Sequence, residues 1–361
     1  MLRFAENFTG VGTGAMGRAN LLAGAWLDMG TVWTPSTVNP RGLGTAHVRN
    51  TGGHEGRFSL GGNLQSFIVG AAFFFNGLPS VGTRTFLFQP RNTSNAAQCT
   101  ITVTTTGVIQ LRTGSQTGTI VADSSALSPS PPIISGAYQF IEVYFDIGNG
   151  SSPADGACEV RVDGVTVIDV TGVDTQGQAT NNCEQVACNS NIDGPSTMDM
   201  ADLYCVDLTG ANNNDFLGDT QWLDIIPDAD TAASDWTRNT GSNDFEMVDD
   251  TTPDADTTYI AATTAAEISR FGLGDIPATA STVVAVVTKV MARKTDAGAA
   301  NLEVSVRSTL SSPVADSTGA DRPITEAYTY YRDTFEVDPA TGVAWTPAGV
   351  NAIQVAVEKS V

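Results

Sequence analysis

The sequence predicts an all-β protein made of two antiparallel β-sandwich domains of the jelly-roll type. Three observations lead there. Short runs alternate apolar and polar residues with a period of two, as where Ile141, Val143 and Phe145 interleave with Glu142, Tyr144 and Asp146. Gly, Thr, Ser, Val and Asp abound, while apolar residues at helical spacing are scarce. Turn residues separate the runs at short intervals, and the 36 glycines follow no fixed period. A chain of 361 residues is long enough for two cores. The polar, turn-rich stretch ANNNDFLGD marks the boundary, giving domains of residues 1–210 and 211–361.

The elements follow in order. Gly12, Gly14 and Gly17 have GxGxxG spacing, but RFAENFTGV before them is too polar for the buried strand a dinucleotide site requires. WLDMGTVW, RFSLGG, SFIVGAAFFF and RTFLFQP read as the opening strands of a sandwich. Runs near 101–103, 108–112 and 119–122 continue as a meander, with Gly107 and Gly114 at its turns. SPSPP at 128–132 cannot donate to a ladder and reads as a crossing loop. EVRVDGVTVIDV is a hairpin turning at Asp163-Gly164, which places Val160, Val162, Val165 and Val167 on one buried face. Residues 171–200 are polar enough to read as one long loop, ordered by a neighbouring copy or partner. In the second domain, 227–258 reads as acidic loops around a few aromatic anchors. Strands resume at 281–293, 301–308, 327–337 and 351–361.

Composition excludes several functions. A net charge of −21 opposes contact with nucleic-acid phosphates and with anionic membranes. The longest apolar run, Phe67 to Phe75, suits one core strand and not a membrane span. The N-terminal MLRFAENFTG lacks the apolar region of a signal peptide. Five cysteines, Cys99, Cys158, Cys183, Cys188 and Cys205, leave at least one outside any intramolecular pair. Cys183 and Cys188 flank a short polar stretch and are candidates for a disulfide, with buried free thiols as the alternative. Zinc is the third reading, although His47 and His54 lie far upstream.

The run YQFIEVYFDIGNGSSPADGACEVRVDGVTVIDV resembles the laminin-G-like, concanavalin A-like lectin and glucanase jelly roll. ADLYCVDLTGANNNDFLGDTQW is similar to phrases in structural proteins of tailed-bacteriophage virions. The resemblance covers roughly residues 1–220. It implies a lectin-like sandwich in a decoration, collar or tail-appendage protein that assembles in the host cytoplasm and resides in the virion. Partners would be other virion proteins and further copies of the chain, with a host-surface glycan as the alternative partner.

Chemistry is sparse. Glycosidases hold two carboxyls about 5–9.5 Å apart. Glu142 and Asp146 share a strand face, but four residues of extended chain span about 13 Å. The compact E-x-D-x-x-E strand of the related glucanases is absent. Neither G-x-S-x-G nor H-E-x-x-H occurs, so a non-enzymatic protein without a required cofactor is expected. The resemblance also implies rim calcium. Its candidate ligands are Asp199 and Asp202, with Asn212, Asn214, Asp215 and Asp219 beyond the next strand; a solvated cluster of turn residues is the competing reading. Among Trp26, Trp33, Trp222, Trp236 and Trp345, Trp236 lies in the most polar setting and is the candidate glycan or partner contact.

Overall fold

The computed structural model describes residues 1–6, 8, 26–29, 33–36, 41, 47–51, 55–79, 85–126, 132–149, 154–190, 197–310 and 314–361. The described residues are nearly all β, and every strand pairing among them is antiparallel. They fall into two compact units, one ending at Trp222 and the other running from Leu223 to Val361. Gly12, Gly14 and Gly17 lie outside the described residues.

The first unit begins with β1 (Leu2–Glu6), β2 (Trp26–Met29), β3 (Trp33–Ser36) and β4 (His47–Asn50). Longer strands follow: β5 (Gly56–Leu64), β6 (Ser66–Phe75) and β7 (Thr85–Arg91). The meander comprises β8 (Cys99–Val103), β9 (Ile109–Thr113) and β10 (Ile120–Asp123). Then come β11 (Tyr138–Asp146), β12 (Gly156–Val162), β13 (Val165–Val173), β14 (Cys183–Ser190) and β15 (Met198–Asp207). One sheet runs β13-β12-β11-β6-β15-β4-β3, with β1 also on β15, and the other runs β10-β9-β8-β7-β14-β5-β2. Their inner faces meet in an aromatic core. Phe73 of the first sheet meets Phe88 of the second edge-on, with ring centroids 5.4 Å apart. Phe4 stacks on Phe58 at 4.5 Å. Each fully buried phenylalanine contributes about 2–3 kcal/mol of hydrophobic burial.

The β12–β13 hairpin turns at Asp163-Gly164, with φ of 49° and 78°, the left-handed values a type I′ turn requires. Its valine face departs from the expected one. A bulge between Val160 and Arg161 puts Ile168, and not Val167, opposite Val160. Val160, Val162 and Val167 are buried, but Val165 is 65% exposed because the hairpin tip carries it away from the core.

The expectation of one long loop over 171–200 is also corrected. β13 continues to Val173, and β14 is a central strand between β5 and β7. Val186, Ala187 and the small, apolar Cys183 and Cys188 are buried, which is enough for a strand paired on both sides. Of the connection, residues 174–182 pack on their own unit: Gln98 receives the Gly177 amide and donates to the Thr180 carbonyl. Residues 191–196 lie outside the described set.

The second unit contains β16 (Pro227–Ser234), β17 (Thr237–Arg238), β18 (Ile260–Ala261), β19 (Glu267–Leu273) and β20 (Val286–Ala292). It continues with β21 (Asn301–Ser308), β22 (Ala315–Thr318), β23 (Arg322–Pro323), β24 (Thr329–Phe335) and β25 (Ile353–Lys359). The principal sheet is β16-β19-β25-β21-β22, with β23 on β21. Against it lies the β20–β24 ribbon, whose Tyr331 and Val290 join Phe271, Leu302, Val304 and Val357 in one core. The segment 227–258, expected as loops, includes β16 at the sheet edge. Replacing Gly164 by Ala forces a Cβ into left-handed backbone and should lower the stability of the first unit by about 1 kcal/mol. Val165→Thr at the same tip should change it by less than about 0.5 kcal/mol. Denaturant unfolding of both variants checks the pair.

Candidate functional site

Chemistry-bearing side chains gather on the outer face of the β13–β3 sheet. Strand alternation sends Ile141, Val143 and Phe145 inward and leaves Phe140 and Glu142 outward. Register then lines up one row across four strands: Arg161 on β12, Glu142 on β11, Gly70 on β6 and Tyr204 on β15. Gly70 is the gap in that row. A Cβ there would overlap the Tyr204 ring. Without one, the ring lies across β6, and its hydroxyl donates to Glu142 two strands away. The Tyr204 ring also stacks on Phe140, with centroids 6.2 Å apart.

A bulge in β15 supplies the second half of the site. Ala201 pairs with Ala72 and Tyr204 with Gly70, so β15 holds one extra residue there. Asp202 sits in the bulge at φ 53°. Its carboxylate accepts from Arg41 Nη1 at 2.5 Å and from the Trp222 amide at 3.0 Å. Burial pushes the Asp202 carboxyl above its usual range, with Arg41 and the Trp222 amide opposing.

The chain then folds back over this face. The segment 211–222, assigned from sequence to the second domain, is bonded into the first unit as a strap. The Gly218 amide donates to Glu142 at 2.8 Å, and the Leu217 amide donates to the Tyr204 hydroxyl at 3.2 Å. Arg41 donates to the Asp219 carboxylate and, at 3.0 Å, to the Thr220 carbonyl. The Arg161 guanidinium lies over the Phe216 ring, 3.8 Å from its centroid. Glu142, at 1% exposure, is thereby enclosed with two donors.

Toward β4, Asp199 takes a bidentate pair from Arg49, both bonds at 2.7 Å. His47 Nε2 lies 3.5 Å from the same carboxylate, and neither ring nitrogen has a hydrogen-bond partner. Burial lowers the His47 pKa below its ordinary 6.5, against the pull of Asp199.

The calcium candidates do not converge on one point. Asp202 and Asp219 do meet, but Arg41 supplies the cation between them. Asn214 donates to the Gly210 carbonyl at 2.9 Å, and Asp215 accepts from the Phe216 amide at 2.7 Å. Asn212 is half-buried within the strap. Among the described residues no three His, Cys, Asp or Glu side chains are arranged to hold a metal ion. The Cys183–Cys188 disulfide is corrected. Both lie on extended β14, five residues and thus about 16 Å apart, far beyond the 4.4–6.8 Å Cα separation of a bridge. All five cysteines are buried free thiols.

Trp236 is half-buried and not an open platform. Its indole N–H donates to the Glu267 carbonyl at 2.9 Å, and its ring packs on the Phe271–Leu302–Val304 core. Beside it lies a depression of about 500 Å³ lined by residues 234–241. Arg238, in that lining, pairs with Asp244 at 2.5 Å.

No family model and no curated protein matches the chain. Solved structures give similarities of low score. Alginate lyase Aly36B is 15% identical with a TM-score of 0.38, covering 56% of this chain and 96% of that one. A sialidase is 8% identical with a TM-score of 0.36, over 57% of this chain and 18% of its own. The binding domain of Paraclostridial Mosquitocidal Protein 1 is 12% identical with a TM-score of 0.37, over 56% and 48%. At these values no residue role passes from them to this chain.

Two outcomes test the site. Gly70→Ala should displace the Tyr204 ring, break its bond to Glu142 and cost about 1–3 kcal/mol, read by thermal unfolding. His47 is held neutral in the fold but binds a proton near pH 6.5 when unfolded. Acidification below that value therefore favours the unfolded chain. His47→Leu should flatten the stability profile between about pH 6.5 and 5, measured by denaturant titration across that range.

Proposed function

We propose that the protein is a non-enzymatic structural component of a tailed-phage virion, a decoration, collar or tail-appendage protein that works by docking to other proteins. The observation that carries this reading is the strap. The outer sheet face that holds Glu142, Tyr204, Arg41 and Arg161 is closed by the chain's own residues 216–222, so its polar groups serve the fold. Glu142 is enclosed there, while Asp146 is bonded to Ser66 at 2.9 Å at the far end of the same strand. The two acids thus lie too far apart for glycoside hydrolysis. The strap also lies in the stretch whose wording is similar to phage structural proteins. Other virion proteins and further copies of the chain are the partners in this reading.

A host-glycan adhesin is the second reading, and the depression beside Trp236 favours it. Its volume suits a small saccharide, and hydroxyl, carboxylate, amide and guanidinium groups line it. Mass spectrometry of purified capsid and tail fractions tests the first reading: stoichiometric recovery in either is expected, and absence from both overturns it. Glycan-array binding abolished by Trp236→Ala would put the adhesin reading first. Hydrolysis or elimination of any polysaccharide would remove the non-enzymatic one.

A further inference from the structure

Arg270 on β19 is 5% exposed, although strand alternation directs it away from the core that its neighbour Phe271 joins. Its side chain reaches Asp316 on β22, three strand spacings or about 14 Å away. It therefore lies along the outer face of the sheet, over its register neighbours Ala356 and Ser305. There Nη1 donates to Asp316 at 3.3 Å, the only hydrogen bond the guanidinium makes among the described residues. Asp316 is already engaged by Arg307, whose Nε and Nη2 donate to its two oxygens at 2.7 Å. Two cations thus share one carboxylate, and the Arg270 guanidinium carries five donors. Burial lowers the Arg270 pKa, with Asp316 opposing and Arg307 adding to the fall. A buried cation so placed is short of acceptors.

Two further features converge on the same place. Gln354 on β25 is the register partner of Arg307 on this face, is half-buried, and its amide makes no hydrogen bond among the described residues. On the other flank β16 sets three residues, Thr231, Ala232 and Ala233, against the single Arg270, and the Thr231 hydroxyl donates to the Arg270 carbonyl at 3.0 Å. Insertions of this kind recur beside functional sites, where they re-aim the side chains of a strand. The acids of this face stand to either side. Glu303 and Glu358 pair in the row beyond Arg270, on the side away from Arg307. Asp228 stands over Gly272, at the β19 end of the Gln354 row. We propose that Arg270, Arg307 and Gln354 bind one oxyanion, a carboxylate or sulfate group, between them. The proposal is independent of the docking reading. A guanidinium fork matches two oxygens of such a group, and the anion balances the second cation that Asp316 leaves over.

Isothermal titration of the full chain with sodium acetate and, separately, with sodium sulfate tests this, sodium chloride holding the ionic strength constant. Saturable 1:1 binding of at least one anion in the millimolar range is expected. Saturation by acetate alone assigns a carboxylate, and saturation by sulfate alone a sulfate. Arg270→Gln should weaken binding about tenfold or more, as for one lost charge-assisted bond. Where Arg270→Gln does not fold, judged by circular dichroism, Arg307→Gln at a partly exposed side chain decides by the same loss. Arg293→Gln, at a surface arginine of the same unit, should leave binding unchanged. No saturable binding of either salt overturns the proposal. So does binding that a folded Arg270→Gln or Arg307→Gln variant retains in full, or that Arg293→Gln weakens equally.

Discussion

A carboxylate with almost no solvent contact on the outside of a β-sheet needs partners, and Glu142 gathers them from two distant segments of the chain, β15 and the strap. Burying an ion without hydrogen bonds costs far more than a single contact returns, so the surrounding structure is organised around satisfying it. Tyr204 reaches it only because Gly70 leaves the intervening strand bare. The β15 bulge lets Tyr204 stand in that row and turns Asp202 toward Arg41. Arg41 in turn holds Asp219, and through it the strap that brings Gly218 to Glu142. These contacts close a loop of dependence: weakening any one exposes a charge that the others keep dry.

The second unit handles charge differently. Asp333 on β24 takes both nitrogens of Arg322 at 2.7 and 2.8 Å, and Asp316 on the edge strand β22 takes two from Arg307 at 2.7 Å. These pairs stand at strand ends and edges. Glu303 and Glu358 face each other directly across β21 and β25, and burial with that repulsion raises the Glu303 carboxyl. The ribbon-on-sheet core can bear this because Leu302, Val304 and Val306, one residue out of phase, are buried beneath. Alternation separates the apolar stabilisation from the electrostatic strain on one strand.

That alternation is also why much of the fold was legible. Clean period-2 runs such as NLEVSVRS appear as β21 over the same residues, and the Asp163-Gly164 turn is where turn chemistry places it. Legibility ended where pairing departs from simple alternation. Bulges at Val160/Arg161 and at Asp202 insert a residue and shift every later partner, and no local composition marks them. β14 escaped notice because its buried apolar residues are two cysteines, one alanine and one valine, without the large apolar side chains that mark the other core strands. In the candidate site, Asp202 and Asp219 stand in the sequence as two of six rim-calcium candidates, with a solvated turn cluster as the competing reading. The cation is Arg41, 161 residues upstream of Asp202 and beyond the reach of local spacing. Glu142 was legible as an outward acid, whereas its partnership with Tyr204 depends on Gly70 and on two registers that only the assembled sheet defines.

The kind of bond that closes the face sets how the closure behaves. β1 is held to β15 by a backbone ladder, and removing it would bare an edge of unpaired amides and carbonyls. The strap leaves no such edge. Side chains seat it instead: Arg41 donates to Asp219, Glu142 accepts from the Gly218 amide, and Arg161 lies over the Phe216 ring. Charge-assisted bonds partly balanced by desolvation give a modest net free energy with high geometric specificity. A segment fastened in that way is held in register by the directions of its few bonds. A polar closure on this sandwich divides the work: the aromatic core fixes the shape, and the strap's exchange of water for side chains sets how firmly the outer face is closed.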